Sequence, residues 1–515
     1  MTETGQPDPG TAGTSARPNI LLITTDQQHW AALGAHTPML QTPHLDRLAR
    51  DGVRLDRAYC ANPLCSPSRS SIITGTYPST HGCWTIGTKL ADDARTIGQL
   101  LGSAGYETSL LGKAHFQPLA STTDQVSLEA PPTLRDLDFW RGFTGPYYGF
   151  DTVRLLRNHA DEGWVGQHYA LWMEERGLTD WRNYFLDEHN RGRRREHSWD
   201  LPAQFHYTTF VADATIEAID HAVTAGEPFF SWASFSDPHP PYLVPEPWAS
   251  MYDPAQVTPG HHTAGEFDRM PPWFGKTQEV DPDFSAWQET PFANHGFSSH
   301  LVDEGQLRRD IAVYYGMVSF VDDAVGRILD HLDEQGLTDD TLVVFTSGHG
   351  HFLGQHGLTA KGAFHYEDLI RVPMIARFPG RIPAGGTTSA LQSLVDLAPT
   401  FLAAAGLPVP LDMQGVDQLA VWTGAEPRAR DCVIVENRHQ PTRVHLRTYV
   451  EGRYKLTVYR DDVVGELFDL VEDPGELDNR FADPAAAGVL TELRGRFLNA
   501  ELRREASRYP RIAVA

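Results

Sequence analysis

Residues 62–69 read Asn62-Pro63-Leu64-Cys65-Ser66-Pro67-Ser68-Arg69 and contain one Cys-x-Pro-x-Arg pentad, Cys65 to Arg69. A thiol four residues before an arginine says little by itself, because a lone cysteine usually packs as a small hydrophobe. Its flanks give it a setting: Ala58-Tyr59-Cys60-Ala61 leads in, and Ser71-Ile72-Ile73-Thr74-Gly75-Thr76-Tyr77-Pro78-Ser79-Thr80-His81-Gly82 follows. Proline favours the first helical turn, so a helix is predicted to start near Pro67 and run through Ser70 to Thr74. Its start offers free N–H groups to an anion and to an activated nucleophile at position 65, with Arg69 about one turn away.

The stretches around this helix read as an open α/β sheet. Pro18-Asn19-Ile20-Leu21-Leu22-Ile23-Thr24-Thr25-Asp26 is a continuous apolar run turning polar, the pattern of a parallel strand buried on both faces. Such a strand delivers Asp26 and Gln27 to the edge where these sheets bind ligands. Thr42 to Ala49 predicts a helix with Leu45 and Leu48 on one face. Leu110 to His115 reads as a second strand ending in polar residues. Lys113 and His115 alternate with Ala114, so in an extended segment both point one way and can converge on a small anion. Phe229 to Phe235 is strand-like and leads into Asp237-Pro238-His239-Pro240-Pro241-Tyr242. From Tyr314, the apolar positions Met317, Val318, Val321, Val325, Ile328, Leu329 and Leu332 follow the 3.6-residue period of a helix that Gly336 ends. Thr341 to Ser347 is the next buried strand, followed by Gly348-His349-Gly350-His351. Val395 to Gly406 predicts a further helix, and Val444 to Tyr459 alternates loosely.

Composition sets limits. At 515 residues the chain exceeds what one core usually organises, so a large domain with a smaller one is expected. The formal charge of −24 argues against nucleic acid and anionic membranes as partners, and requires local cations to draw an anionic substrate. No stretch reaches the apolar length of a membrane span. Residues 1–16 lack an apolar core and read as a disordered leader. The four cysteines, Cys60, Cys65, Cys83 and Cys432, are too few for a disulfide framework, so a cytoplasmic setting is expected. Nine of the twelve tryptophans fall between Trp140 and Trp287, where periodicity is weak; this marks a variable insertion at 120–300. Within it, Arg191-Gly192-Arg193-Arg194-Arg195 reads as a solvated run or a cationic lip steering anions.

The pentad with its flanks resembles the signature of the formylglycine-dependent sulfatases of the alkaline-phosphatase-like superfamily, the branch of arylsulfatases and phosphonate monoester hydrolases. Thr42 to Ala49, Gly112 to His115, the His239 loop, Lys361, Tyr366, Arg371 to Ile375 and Glu466 to Pro474 resemble further segments of that family, from residue 17 to 505. The resemblance implies a large, mostly parallel mixed sheet flanked by helices across 17–425. It implies a small C-terminal α+β subdomain with an antiparallel sheet across 426–515.

It also implies the chemistry. Cys65 would be oxidised by a formylglycine-generating enzyme to an aldehyde, whose hydrate is both nucleophile and metal ligand. One hydroxyl attacks sulfur or phosphorus, and loss of a proton from the second expels the anion without attack by water. Asp26, Gln27 and His349 would complete the metal shell. Arg69, Lys113 and Lys361 would hold the anionic oxygens. His115 would orient or deprotonate the hydrate, and His239 would protonate the leaving group. The substrate is then a small anionic ester: a sulfate ester, or alternatively a phosphonate monoester or phosphodiester. A weakly metallated relative with reduced catalysis is a further alternative, and homo-oligomerisation is left open. The chain departs from the family pattern at Ala114, where a tryptophan is common, at His351, where an acidic residue often stands, and above all at Gly348, which stands where an aspartate is expected. Calcium or magnesium is the metal by resemblance; the loss of that carboxylate beside His349 and His351 shifts the expectation toward a weakened site or toward manganese or zinc.

Overall fold

The computed structural model describes residues 17–157, 162–185, 196–289, 301–440, 443–461, 464–507, 509 and 512. The expected leader at 1–16 and the Arg191–Arg195 run lie outside the described residues. Eight strands form the main sheet: β1 (Asn19–Thr25), β2 (Val53–Leu55), β3 (Glu107–Lys113), β4 (Thr152–Leu156), β5 (Phe229–Ser234), β6 (Thr341–Ser347), β7 (Met374–Arg377) and β8 (Gly386–Thr388). Across the sheet their order is β8-β2-β7-β6-β1-β5-β3-β4. The five neighbours β6-β1-β5-β3-β4 run parallel, and β7 runs antiparallel to β2 and β6. In register, Thr25 lies beside Ser347, Thr24 beside Ser234, and Lys113 beside Leu156. Five carboxyl ends therefore share one edge.

The apolar runs are continuous because both faces of the sheet are covered. Ile20 and Leu22 of β1 join one core, with Phe230, Trp232, Leu342 and Val344; Leu21 and Ile23 join the other, with Phe229, Ala233, Val343 and Phe345. The first face packs Ile72 and Ile73 of helix α2 (Cys65–Thr74). Against the second lie helices α1 (Pro43–Arg50), α3 (Tyr207–Ala225) and α4 (Glu304–Glu334), through Leu45 and Leu48, Phe210 and Val211, and Val321 and Val325.

Two helices start earlier than their sequence signals. The α4 helix begins at Glu304, ten residues before the apolar period; its first turns are polar, and the Asp303 side chain accepts from the Gln306 N–H to cap them. The α2 helix begins at Cys65, not near Pro67. Pro67 sits inside the first turn, where its missing N–H costs nothing. Residue 65 is thus itself helical. Of the tryptophans in the insertion, Trp140, Trp172, Trp181, Trp199 and Trp273 are buried and serve packing.

The C-terminal strands β9 (Cys432–Gln440), β10 (Val444–Glu451), β11 (Tyr454–Tyr459) and β12 (Gly465–Asp469) pair antiparallel in sequence order. Leu490, Leu493 and Phe497 of helix α5 (Ala487–Arg503) pack on this sheet. Val433, Val435 and Val450 reach into the core of the large sheet. Among the described residues no helix is long and apolar enough to cross a membrane.

Candidate active site

The parallel strands place their carboxyl-end residues around the start of α2. Asp26 follows β1, Lys113 ends β3, His239 follows β5, and Gly348 and His349 follow β6. Cys65 is 1% exposed. Its Sγ is 3.0 Å from Lys361 Nζ, 3.2 Å from His349 Nε2, and 3.5 and 3.7 Å from the Asp26 carboxylate oxygens. Lys361 Nζ also lies 3.0 Å from His239 Nε2, and Lys113 Nζ is ion-paired to Asp26. Lys113, His239 and Lys361, far apart along the chain, thus meet beside residue 65.

Burial of the thiol and the Asp26 carboxylate push the Cys65 pKa up; the Lys361 and Lys113 ammonium groups outweigh them and lower it to about 6. Burial would likewise raise Asp26, yet the Lys113 ammonium, with Lys361, holds it well below its ordinary value. The histidines are neutral: burial, then Lys361, takes His239 and His349 each down to about 3. Their carbonyl partners fix the tautomers, since a carbonyl only accepts. His349 Nδ1–H donates to the Gly350 carbonyl at 2.9 Å and His239 Nδ1–H to that of Pro240 at 2.5 Å. In both rings the Nε2 lone pair faces the cluster.

Two expected site residues sit differently from the sequence reading. His115 does not continue an extended segment: β3 stops at Lys113, and His115 turns away with φ of 61°. Its Nε2 accepts from Arg157 Nη2 at 3.1 Å, so a neutral ring carries its proton on Nδ1, which is buried without a partner. Arg69 lies over the Trp232 ring and donates to the carbonyls of Ala114 and Lys113 and to Ser234 Oγ. It clamps the end of β3, and its Nη1 is buried without a partner.

Two groups escaped the sequence reading. Arg157 follows β4, the same strand-end pattern that exposed Lys113, and that pattern could have found it. Glu129, 3.9 Å from the Arg157 Nε, accepts from the N–H groups of Phe116 and Gln117; it lies outside regular structure and carries no comparable signal. His351 has a defined place as well. Gln27 Nε2 donates to its Nδ1 at 2.8 Å, so its Nε2–H faces the Tyr242 hydroxyl at 2.9 Å, and its ring stacks on Tyr314. This contact commits the Gln27 amide nitrogen and leaves its Oε1 buried without a partner.

These residues suit a divalent ion. Ligand atoms of Asp26, Cys65 and His239 all lie within 4.8 Å of one another, and His349 Nε2 is 3.5 Å from Asp26 Oδ1. The orphaned Gln27 Oε1 is a further oxygen donor. Gly348 supplies none: a Cβ built there would meet only Thr25 O at 3.9 Å and Asp26 Oδ1 at 4.0 Å, so neither space nor a left-handed backbone demands glycine. The orphaned donors, His115 Nδ1–H and Arg69 Nη1–H, suit an anion. A buried polar atom without a partner costs about 1–3 kcal/mol, which a bound group recovers.

The family model for sulfatases matches residues 18–407, and that for the C-terminal part of N-sulphoglucosamine sulphohydrolase matches 354–503. The chain is 27% identical over 493 residues to the uncharacterized sulfatase YidJ of Escherichia coli, covering 94% of this chain and 87% of YidJ. It is 26% identical to the N-acetylglucosamine-6-O-sulfatase of Bacteroides thetaiotaomicron, covering 93% and 85%. The phosphonate monoester hydrolase SpPMH from Silicibacter pomeroyi superposes with a TM-score of 0.77 at 25% identity, covering 95% of this chain and 96% of that one. A match over most of the chain, with the pentad cysteine buried at the sheet edge among cations, makes this protein a member of the sulfatase family of sulfuric ester hydrolases.

Proposed function

We propose that this chain hydrolyses sulfate monoesters through a formylglycine made at Cys65, with a divalent ion held by Asp26, Gln27, the residue-65 side chain and His349. The observation that carries the reading is the setting of Cys65: a buried helix start within 3.0 Å of the Lys361 ammonium and 3.5 Å of the Asp26 carboxylate. Its sulfur stands where the hydrate oxygens of a formylglycine would be. Because the residue is buried, a formylglycine-generating enzyme must reach it before the fold closes.

The chain's own residues have distinct tasks. Lys113 and Lys361 hold the anionic oxygens of the transferred group, and the orphaned N–H groups of His115 and Arg69 add directional donors. Lys113 also keeps Asp26 ionised. The leaving alkoxide needs a proton, and His239 Nε2 is a lone pair bonded to Lys361 Nζ in the free site. The proton therefore originates on the Lys361–His239 couple, and His239 can carry it once an anion offsets the Lys361 charge. The bound divalent ion supplies Lewis acidity, favouring ionisation of the nucleophile and neutralising charge on the transferred group. With nitrogen from His349 and no carboxylate at Gly348, manganese or zinc suits the donor set better than calcium.

A phosphonate monoester hydrolase is the second reading, favoured by the similarity to SpPMH along 95% of the chain. The test joins two measurements on protein coexpressed with a formylglycine-generating enzyme. Mass spectrometry of the Cys65 peptide should find the aldehyde or its hydrate, and kcat/KM should be higher for an aryl sulfate than for the matched aryl phosphonate. An active preparation holding only unmodified thiol would overturn the mechanism, and a reversed preference would select the second reading.

A further inference from the structure

The charges around Cys65 do not balance. Among the described residues, four cations are buried there: Lys113 and Arg69 at 0% exposure, Lys361 at 3% and Arg157 at 6%. The buried anions among them are Asp26 and Glu129, at 0% and 1%. Asp26 is already ion-paired with Lys113, and Glu129 faces Arg157. Converting Cys65 to a neutral hydrate removes the thiolate, leaving two more cations than anions. An arginine cannot shed its charge, and burial weakens the screening that water would provide. At the position where the family pattern supplies a second carboxylate, this chain has Gly348, with room for a side chain against Asp26.

We infer that in this protein the divalent ion and the oxyanion of the substrate bind with strong positive coupling, each supplying the charge the other lacks. The inference rests on the hydrolase reading above. A dication entering alone must share the single carboxylate Asp26 with Lys113 and adds to an existing positive excess. An oxyanion bound on Lys113 and Lys361 cancels that excess and satisfies the orphaned donors of His115 and Arg69. The ion then occupies a site of lower potential, with Gln27 Oε1 as a waiting donor. Orphans of both kinds line the site: the N–H groups of His115 and Arg69 call for an anion and the Gln27 oxygen for a cation, which agrees with two guests of opposite charge. Coupling is reciprocal, so metal must strengthen oxyanion binding by the same factor.

The experiment is calorimetric titration of the matured enzyme with manganese, in chloride and in sulfate at matched ionic strength, with free metal corrected for sulfate complexation. Metal affinity is expected to rise about tenfold or more in sulfate. Titration of sulfate with and without manganese should return the same factor, and this arm needs no variant. In Gly348→Asp, whose new carboxylate reaches toward Asp26, manganese should bind more tightly in chloride and the sulfate dependence should shrink toward unity. Equal manganese affinities in chloride and sulfate, or a sulfate dependence that Gly348→Asp leaves unchanged, would overturn the coupling. Turnover of an aryl sulfate by the same preparation is scored separately, so either result leaves the hydrolase reading to its own test.

Discussion

Two buried ionisable clusters in this molecule carry opposite excesses of charge. Around Cys65, Lys113, Lys361, Arg69 and Arg157 outnumber Asp26 and Glu129. Where the C-terminal sheet meets the large domain, one buried lysine, Lys455, faces Glu476, Glu367 and, more distantly, Glu466. The acidic excess has a remedy inside the protein: a carboxyl can take up a proton. Burial pushes Glu466 up to about 7 against the opposing hydrogen bond from Tyr459 and charge of Lys455, and burial raises Glu476 as well. The cationic excess closes less readily: its two guanidinium groups keep their charge, and although burial lowers the Lys113 pKa, its ion pair with Asp26 opposes loss of that proton. One cluster can close on itself and hold the fold together; the other is completed from outside. A surplus of buried arginine and lysine is the stronger sign of a ligand.

Removing a lysine from each cluster should separate the two roles most sharply. Lys455 Nζ also donates to the His365 carbonyl at 2.6 Å, and Lys455→Met leaves that carbonyl and Glu476 without their cation. Stability to urea should fall by roughly 3–5 kcal/mol, with kcat little changed in the protein that remains folded. Lys361→Ala should do the reverse: kcat/KM for an aryl sulfate drops roughly 10²–10³-fold, while the urea midpoint holds or rises because a repelled cation is gone. Equal losses of stability in the two variants would break the comparison.

A smaller effect is expected at His351, which neither cluster contains but which holds the Gln27 amide. His351→Ala frees that amide to rotate, and manganese affinity measured in sulfate should fall about 10- to 100-fold, as for partners that orient metal ligands. His351→Asn keeps an acceptor for Gln27 Nε2 and should recover part of the loss. An unchanged affinity in His351→Ala would remove Gln27 from the metal shell.

The smallest expected effect concerns pH. Glu466 has a raised pKa in the fold, so between its ordinary value of 4.5 and about 7 the folded protein binds more protons than the unfolded chain. Its contribution is fully present below the unfolded value and is lost as pH rises through the folded one. Glu466→Gln should flatten this decline, changing the difference in unfolding free energy between about pH 5 and pH 8 by roughly 1–3 kcal/mol. Identical pH profiles for the two proteins would mean that Glu466 stays ionised in the fold.

Much of the site was legible in the sequence because strand ends are legible. A continuous apolar run that turns polar announces a buried parallel strand, and Asp26, Lys113, His239 and His349 each follow one; Lys361 was legible only through the family resemblance. The antiparallel C-terminal strands left a fainter trace, since Val444 to Tyr459 hides a turn between β10 and β11. The apolar period also concealed the polar start of α4 at Glu304.

By itself the sequence determined the pentad, the buried strands whose polar ends carry site residues, and the absence of a carboxylate at Gly348. Covalent order and periodicity are enough for those. Only the tertiary structure decided that Arg69 clamps β3 while keeping one N–H unpartnered, that His115 turns toward Arg157, and that His351 holds Gln27. It alone brought Arg157 and Glu129 into the cluster and so set its charge balance. Such facts depend on distances between residues remote in sequence, and the energy of a buried charge depends on every neighbour within a few ångströms, whatever its place along the chain.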